Sequence, residues 1–527
     1  MIDDPISFEV IKNALISCAR EMSQALRRTA FSPNIKERRD CSCAIFDSEG
    51  NLVAQSKDIP VHLGAMPLSV RSCIDELGEE MAEGTMALVN DPYSGGSHLP
   101  DLTLVAPVFH NGVQVAFTAN RAHHADIGGE SPGSMPGLSL SIHEEGILIP
   151  PRIVVREGVL QRHLISDVMQ ATRTPDERLG DLSAQVAANH VGNNRLTQVA
   201  LQYGWGILTS TFADLRQYSA KMMSDALVRY NGKSGEFRDY MESDGAGSWD
   251  IPINIEVRVN DGRAYIDFTG TSPQVQGNIN CPIASTLSAV YYVFVSLFGR
   301  NIPTNEGSWS VIDIKVPEGS LLNPKYPAPV SAGNVETSQR IVDVTLGALA
   351  DIVPDLIPAA SQGTMNNLAI GGIDSRSVNA YSFYETIGGG SGAAKGKNGV
   401  SGIHTHMTNT LNTPIESLES EYPLRVIKYS ILRGSGGSGK WHGGDGIIRE
   451  IEILSDICTI SIQSERRAVG PWGLAGGKPG KGGKNTITLE GQVHNLQAKS
   501  TIVAPKGSII RIETPGGGGW GAPPPES

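Results

Sequence analysis

Two apolar runs, LTLVAPVF (102–109) and VQVAFTA (113–119), flank His110-Asn111-Gly112. Asn-Gly is a strong turn signal between strands, because both residues tolerate the positive φ that a tight hairpin demands. The pattern therefore predicts a β-hairpin, and whatever stands beyond its open end must converge. DPYSGGSHLPD (91–101) enters the first strand and NRAHHADIGG (120–129) leaves the second. His98, Asp101, His123, His124 and Asp126 are thus drawn toward one end. Neutral imidazoles and carboxylates converging from rigid elements are what a divalent ion needs. Asp40, just before Cys41-Ser42-Cys43, can add a carboxylate, while the C-x-C itself reads as two small buried residues.

The turn decides which side chains meet. A two-residue Asn111-Gly112 loop sets Asp101 opposite Ala122, on the face of His124. A three-residue loop, closed by a bulge at a left-handed Gly112, sets Asp101 opposite Arg121 and on the face of His123. Either register closes the site, and the hairpin by itself leaves both histidines open. Pro100 suits the start of a strand.

At 527 residues the chain exceeds one compact core, so two or three domains are expected. We place them at 1–240, 241–375 and 376–527. The first opens with an amphipathic helix over 8–30, in which Ile11, Leu15, Cys18, Met22 and Leu26 recur at helical spacing. A hairpin over 41–55 turning at 47–51 follows, and helical pattern returns from about 165 to 230. A Gly/Ser break at 243–248 precedes two alternating strands, IPINIEVRVN and RAYIDFTG, joined at Asp261-Gly262. Beyond 380 the chain is Gly-rich and strand-like, and its glycine stretches read as loops between strands. Segregated helices and sheets give an α+β, multi-domain class: an N-terminal metal-binding region of helix and hairpin, a mixed α and β middle, and a β-dominated C-terminal region.

A formal net charge of −12, with no Lys/Arg run longer than two, points away from nucleic acid and anionic membranes as partners. Acids in MIDDPISFEV stand where a secretory signal needs bases. The apolar stretch Ala284–Gly299 is short and contains Ser and Thr, so it reads as a buried helix. Six scattered Cys fit a reducing cytoplasm. Three other motifs carry less. Gly434–Lys440 (GSGGSGK) fits most of a P-loop, but Trp441 replaces the magnesium-binding hydroxyl and KWHGGDG cannot open a helix. Cys281, a possible nucleophile, stands alone before a proline. His404-Thr405-His406, whose rings would share a face on a strand, is a candidate second metal site.

With RRDCSCAIFD (38–47), NDPYSGGSHLPD, RAHHADIGG, ESEYPLRV (419–426), LRGSGGSGKWHGGDG (432–446), SER (464–466) and TPGGGGWG (514–521) in this order, the chain resembles the hydantoinase B/oxoprolinase family nearly end to end. The resemblance implies a B-type subunit of an ATP-dependent N-methylhydantoinase, 5-oxoprolinase or caprolactamase. A separate A-type ATPase subunit of actin/Hsp70-like fold would phosphorylate the substrate carbonyl oxygen, the pair forming a heterotetramer. It also implies Asp40, His98, Asp101 and His123 as ligands of one divalent ion, favouring the three-residue turn and leaving His124 and Asp126 to orient those ligands. Zinc, manganese and iron all suit mixed His/Asp donors.

The implied chemistry is coherent. Phosphorylation removes amide resonance and supplies a leaving group. A bound ion brings the pKa of water toward neutrality, and the resulting hydroxide attacks the activated carbon of a lactam, hydantoin or 5-oxoproline ring. Two other readings are a subunit of an ATP-dependent ketone carboxylase, of the acetone or acetophenone type, and a non-catalytic scaffold for the A-type subunit.

Overall fold

The computed structural model describes residues 4–56 and 58–524; the first three residues of the acidic N-terminal stretch lie outside this range. The architecture is α+β, with four sheets and several long helices. Its N-terminal sheet is wholly antiparallel and contains β1 (Cys41–Asp47), β2 (Leu52–Gln55), β3 (Met86–Val89), β4 (Asp101–His110), β5 (Val113–His123), β6 (Arg152–Arg156) and β7 (Val159–Leu160). Their order across the sheet is β2-β1-β5-β4-β3-β6-β7. Every residue of β1 is buried, because both faces are covered. On one face Ile45, Val108 and Ala116 meet Ile11, Leu15 and Phe212 of flanking helices. On the other, Ala44, Phe46, Val105 and Phe117 join Met66 and Val70 of the Ala65–Leu77 helix.

The first helix runs Pro5–Thr29 and buries the expected stripe Ile11, Leu15, Cys18, Met22 and Leu26. It starts before the expected residue 8 because Asp4 accepts hydrogen bonds from the Ile6 and Ser7 amides, with Pro5 at the first helical position, a strong start signal. The expected helical stretch becomes helices Pro175–Tyr203 and Trp205–Leu227, parted at Gly204.

A second sheet orders β11-β10-β9-β8, from β8 (Lys233–Ser243), β9 (Trp249–Asn260), β10 (Arg263–Asp267) and β11 (Ile312–Lys315). Residue 240 lies inside β8, which pairs with β9 across the Gly/Ser turn. The Ala284–Gly299 stretch forms the helix Ile283–Phe298, and no described helix is long and apolar enough to cross a membrane. The helix Ser338–Leu349 is buried at every position. Two of its charged residues pair with ions from elsewhere: Arg466 reaches Asp343 at 2.7 Å and Asp239 at 2.6 Å, and Arg340 lies 3.3 Å from Glu465.

Two further sheets share one apolar core through Ile370, Phe383, Ile451 and Ile510. One orders β13-β12-β16-β19 and the other β14-β15-β20-β17-β18. The strands are β12 (Asn367–Asp374), β13 (Asn379–Glu385), β14 (Leu424–Leu432), β15 (Gly446–Ile453), β16 (Ile457–Gln463), β17 (Lys484–Leu489), β18 (Gln492–Leu496), β19 (Lys499–Pro505) and β20 (Ile509–Glu513).

The glycine stretches are loops between strands, as expected, and they pack together. They lie against one another and bond directly: Gly437 N donates to Gly517 O (2.8 Å), Gly517 N to Gly444 O (2.9 Å) and Gly518 N to Ala360 O (2.8 Å). A Cβ on Gly517 would stand 2.0 Å from Ser391 O, so only hydrogen permits this approach. Gly517→Ala is expected to destabilise the protein by about 3 kcal/mol, read from its urea midpoint. Gly206→Ala, with nothing within 4 Å of the new carbon, should instead stabilise it by about 0.5 kcal/mol. The P-loop-like segment is part of this packing. Its Ser435 and Gly436 amides donate to Asp445 Oδ1 at 2.9 Å each, where a phosphate would otherwise be cradled.

Candidate metal centre

β4 and β5 deliver the site as a hairpin should, by a route not foreseen. The turn is the two-residue one: Asn111 and Gly112 have φ of 50° and 76°, and His110 pairs with Val113. The three-residue turn favoured by the resemblance is therefore corrected. A bulge then intervenes, Phe109 pairing with Gln114 but Val108 with Ala116. Gln114 Nε2 donates to Ala116 O at 2.9 Å, satisfying a carbonyl at the irregularity. The extra residue shifts the far end by one, and Asp101 sits directly opposite His123. Asp101 thus faces His123, and His124 turns to the other side.

Three donor atoms converge there. His98 Nε2 and His123 Nδ1 are 3.2 Å apart, and each lies 3.3 Å from Asp101 Oδ1. All three residues are buried. A tetrahedral ion with bonds of about 2.0–2.1 Å has ligand–ligand edges of about 3.3 Å, so the triangle has the size of one face of such a polyhedron. Its chemistry fits as well. Burial holds His123 below the ordinary histidine range despite Asp101 and Asp40 nearby, which keeps a ring lone pair free. Burial alone would raise the Asp101 carboxyl, but His98, with hydrogen bonds from His123 and His62, holds it well below the usual carboxylate range. Two imidazoles and one carboxylate converging in a small buried pocket are a candidate site for a divalent cation. Asp40 lines the same cavity without joining the triangle, and its carbonyl accepts the His123 amide at 3.0 Å.

His124 and Asp126, the residues expected to orient the ligands, bond a neighbouring helix and loop. His124 Nε2 bonds Gln185 Oε1 at 2.9 Å on the Pro175–Tyr203 helix, and burial pushes its pKa down to about 4. Asp126 accepts from the Gly128, Gly133 and Arg173 amides and from the Arg173 guanidinium. It pins the loop leaving β5 and touches none of the three converging donors. The contacts that orient Asp101 come from His62 and Ser97. His62 Nε2 lies 3.5 Å from Asp101 Oδ2 while its Nδ1 bonds Ser42 at 2.8 Å, and Ser97 Oγ donates to Asp101 Oδ2. Tyr384 stacks on His123 with ring centroids 4.7 Å apart, and Arg38 lies over the Tyr384 ring.

These partners carry no spacing signal. His62 reaches the site only because the segment after β2 turns back beneath β1, and Tyr384 comes from β13, far along the chain. Ser97 adjoins His98 and was the one within sight. His62→Ala is expected to weaken metal affinity about 10- to 100-fold, read by competition with a chromogenic chelator.

The remaining candidates fall away from the triangle. Among the described residues one His/Cys/Asp/Glu group is close enough to hold an ion, and His404 and His406 are outside it; His406 Nδ1 instead faces the Tyr292 hydroxyl at 3.4 Å. Burial pushes the Cys281 thiol up to about 12, which removes it as a nucleophile. Cys41 and Cys43 are free, buried residues of β1.

A family model described as hydantoinase B/oxoprolinase matches residues 4–523. The chain belongs to the hydantoinase B/oxoprolinase family. Within it, an uncharacterised protein of Methanocaldococcus jannaschii is 42% identical, over 99% of this chain and 91% of its own length. A 5-oxoprolinase of Dictyostelium discoideum is 39% identical over 98% of this chain, which spans 40% of that protein. The chain thus covers about two-fifths of the curated 5-oxoprolinases it matches. A Pseudomonas protein described as the putative B-type component of a D-/L-hydantoinase is 32% identical, over 99% of this chain and 90% of its own. Among solved structures, the ATP-dependent caprolactamase from Pseudomonas jessenii superposes with a TM-score of 0.92 at 26% identity, covering 100% of this chain and 93% of that one.

Proposed function

We propose that this chain is the metal-holding B-type subunit of an ATP-dependent cyclic amide hydrolase, acting on a lactam, hydantoin or 5-oxoproline ring activated by a partner ATPase. The observation that carries this reading is the buried triangle of His98 Nε2, His123 Nδ1 and Asp101 Oδ1. Family membership adds that the named relatives include oxoprolinases, a hydantoinase component and a caprolactamase. His98, Asp101 and His123 would hold the ion, with the Asp40 carboxylate nearby as a fourth ligand. When bound, a divalent ion lowers the pKa of water toward neutrality and orients it.

The chain's own residues do the rest. Asp101 supplies the negative charge, kept in place by His62 and Ser97. Tyr384 fixes the plane of the His123 ring. Val61, Val335, Met365 and Met407 wall the cavity, excluding bulk water and strengthening every electrostatic contact inside. Thr386, Thr408, Thr410 and Asn334 line its polar side and offer donors to a reacting carbonyl or phosphoryl oxygen. The one P-loop-like segment has its amides engaged by Asp445, which supports placing ATP chemistry on the partner.

The test is an assay of the purified chain with its A-type partner, ATP and a panel of cyclic amides. ATP-coupled ring opening, absent in Asp101→Asn, is the expected result. Turnover of a ketone that depends on bicarbonate, without ring opening, would replace this reading with the carboxylase one.

A further inference from the structure

The metal cavity is too small to hold a whole substrate ring, so the bulk of the substrate must rest outside it. Its volume of about 20 Å³ holds one water and no substrate ring. Beside it opens a cleft of about 500 Å³, within the range of small-molecule sites. The two are neighbours through a thin wall. Ile59 lines both, and Ser42 in the cleft wall bonds the same His62 that contacts Asp101.

The cleft's charge opposes that of the whole chain. Against a net −12, its lining carries Lys12, Arg20 and Arg300 and one carboxylate, Asp58. Asp58 is already neutralised by Arg27 at 2.5 Å and bonded by Ser23 Oγ at 2.7 Å. Lys12 pairs with Glu9 at 2.5 Å. Arg20 and Arg300 are exposed, and among the described residues neither has a carboxylate within 4.0 Å. Lys12, Ile16 and Arg20 follow at four-residue spacing, so one face of the Pro5–Thr29 helix supplies this wall. Arginine's planar fork suits a phosphate oxygen pair better than a point charge does.

We propose that the cleft is an antechamber for a phosphorylated small molecule, with Arg20 and Arg300 holding its phosphate while its ring passes Ile59 toward the metal triangle. This rests on the function proposed above and names where the activated substrate is received. The cations draw an anionic intermediate out of solvent, and the apolar lining of Ile16, Val53, Leu215 and Val295 accepts the ring.

The probe is inorganic phosphate, measured by equilibrium dialysis against the full chain, Arg20→Gln/Arg300→Gln and His98→Ala. Saturable binding is expected in the wild type and in His98→Ala, and about tenfold weaker binding in the double variant. Both arginines are exposed, so the double variant should fold, and its retained metal stoichiometry checks that. With the partner subunit present, the double variant should also hydrolyse ATP with ring opening uncoupled. Equal phosphate binding in all three proteins overturns the proposal. So does weakened binding with ring opening unchanged, which would mark a site for free phosphate alone. Loss of metal in His98→Ala reports on the hydrolase reading separately, because the phosphate measurement does not need the ion.

Discussion

Asp101→Asn is expected to empty the metal centre, lowering affinity by at least about 100-fold and abolishing ATP-coupled ring opening. The substitution keeps the shape of the side chain and removes only its charge. Asp101 Oδ1 stands 3.3 Å from both imidazole nitrogens, so a neutral amide there removes the one negative charge within the triangle and leaves only Asp40, at the cavity wall, to balance a doubly charged ion. Ser97 and His62 are aimed at an acceptor, and an amide nitrogen in that place repels them. Metal content after dialysis, measured by mass spectrometry, checks the first effect. Stoichiometric metal in the variant would refute the assignment of Asp101 as a ligand, whatever happened to activity.

Arg466→Ala is expected to destabilise the fold by about 3–5 kcal/mol, read as a lowered urea midpoint with the slope unchanged. Arg466 is buried and bonds Asp239 and Asp343 at once. Asp239 lies on β8 and Asp343 on the Ser338–Leu349 helix, so one guanidinium from the C-terminal part of the chain ties a strand and a helix of the middle part. Its removal leaves two carboxylates with Arg340 alone, at 3.5 Å and 3.8 Å. The penalty comes from stranded charge rather than from lost contact. Arg466→Ala/Asp343→Ala should therefore be less damaged than the sum of its single variants. An additive double variant would show that the pair does not interact.

The hairpin was legible because its turn and its apolar strands are local signals, and the residues at its open end needed only to be counted. The choice between His123 and His124 was not, since it depends on a bulge near Val115, and one extra residue reverses every face beyond it. The resemblance picked out His123 by its motif and so favoured a three-residue turn, which the chain does not form. His62 and Tyr384 were illegible for another reason: a lone histidine or tyrosine has no periodicity, and the segments that carry them arrive by long-range packing. His124 and Asp126 stand beside the converging donors in the sequence, which is why they read as site residues. In the structure they hold the helix and loop that the ligands hang from. The strand through residue 240 was hidden by charged and aromatic residues along β8, whose outward side chains read as polar rather than as one face of a sheet.

The glycine packing has a consequence for how the chain is made. Residues 515–520 lie among segments that all precede them, bonding Ala360, Gly390, Gly437, Trp441, Gly444 and Leu474 through backbone groups. Those earlier segments also bond one another, Gly443 N to Gly437 O and Gly444 N to Ser391 O at 2.9 Å each, and residues 515–520 complete the network. The last of these parts to be translated is the one threaded through the middle. Its partners are all distant in sequence, so its pairing carries the slow search that distant contacts impose.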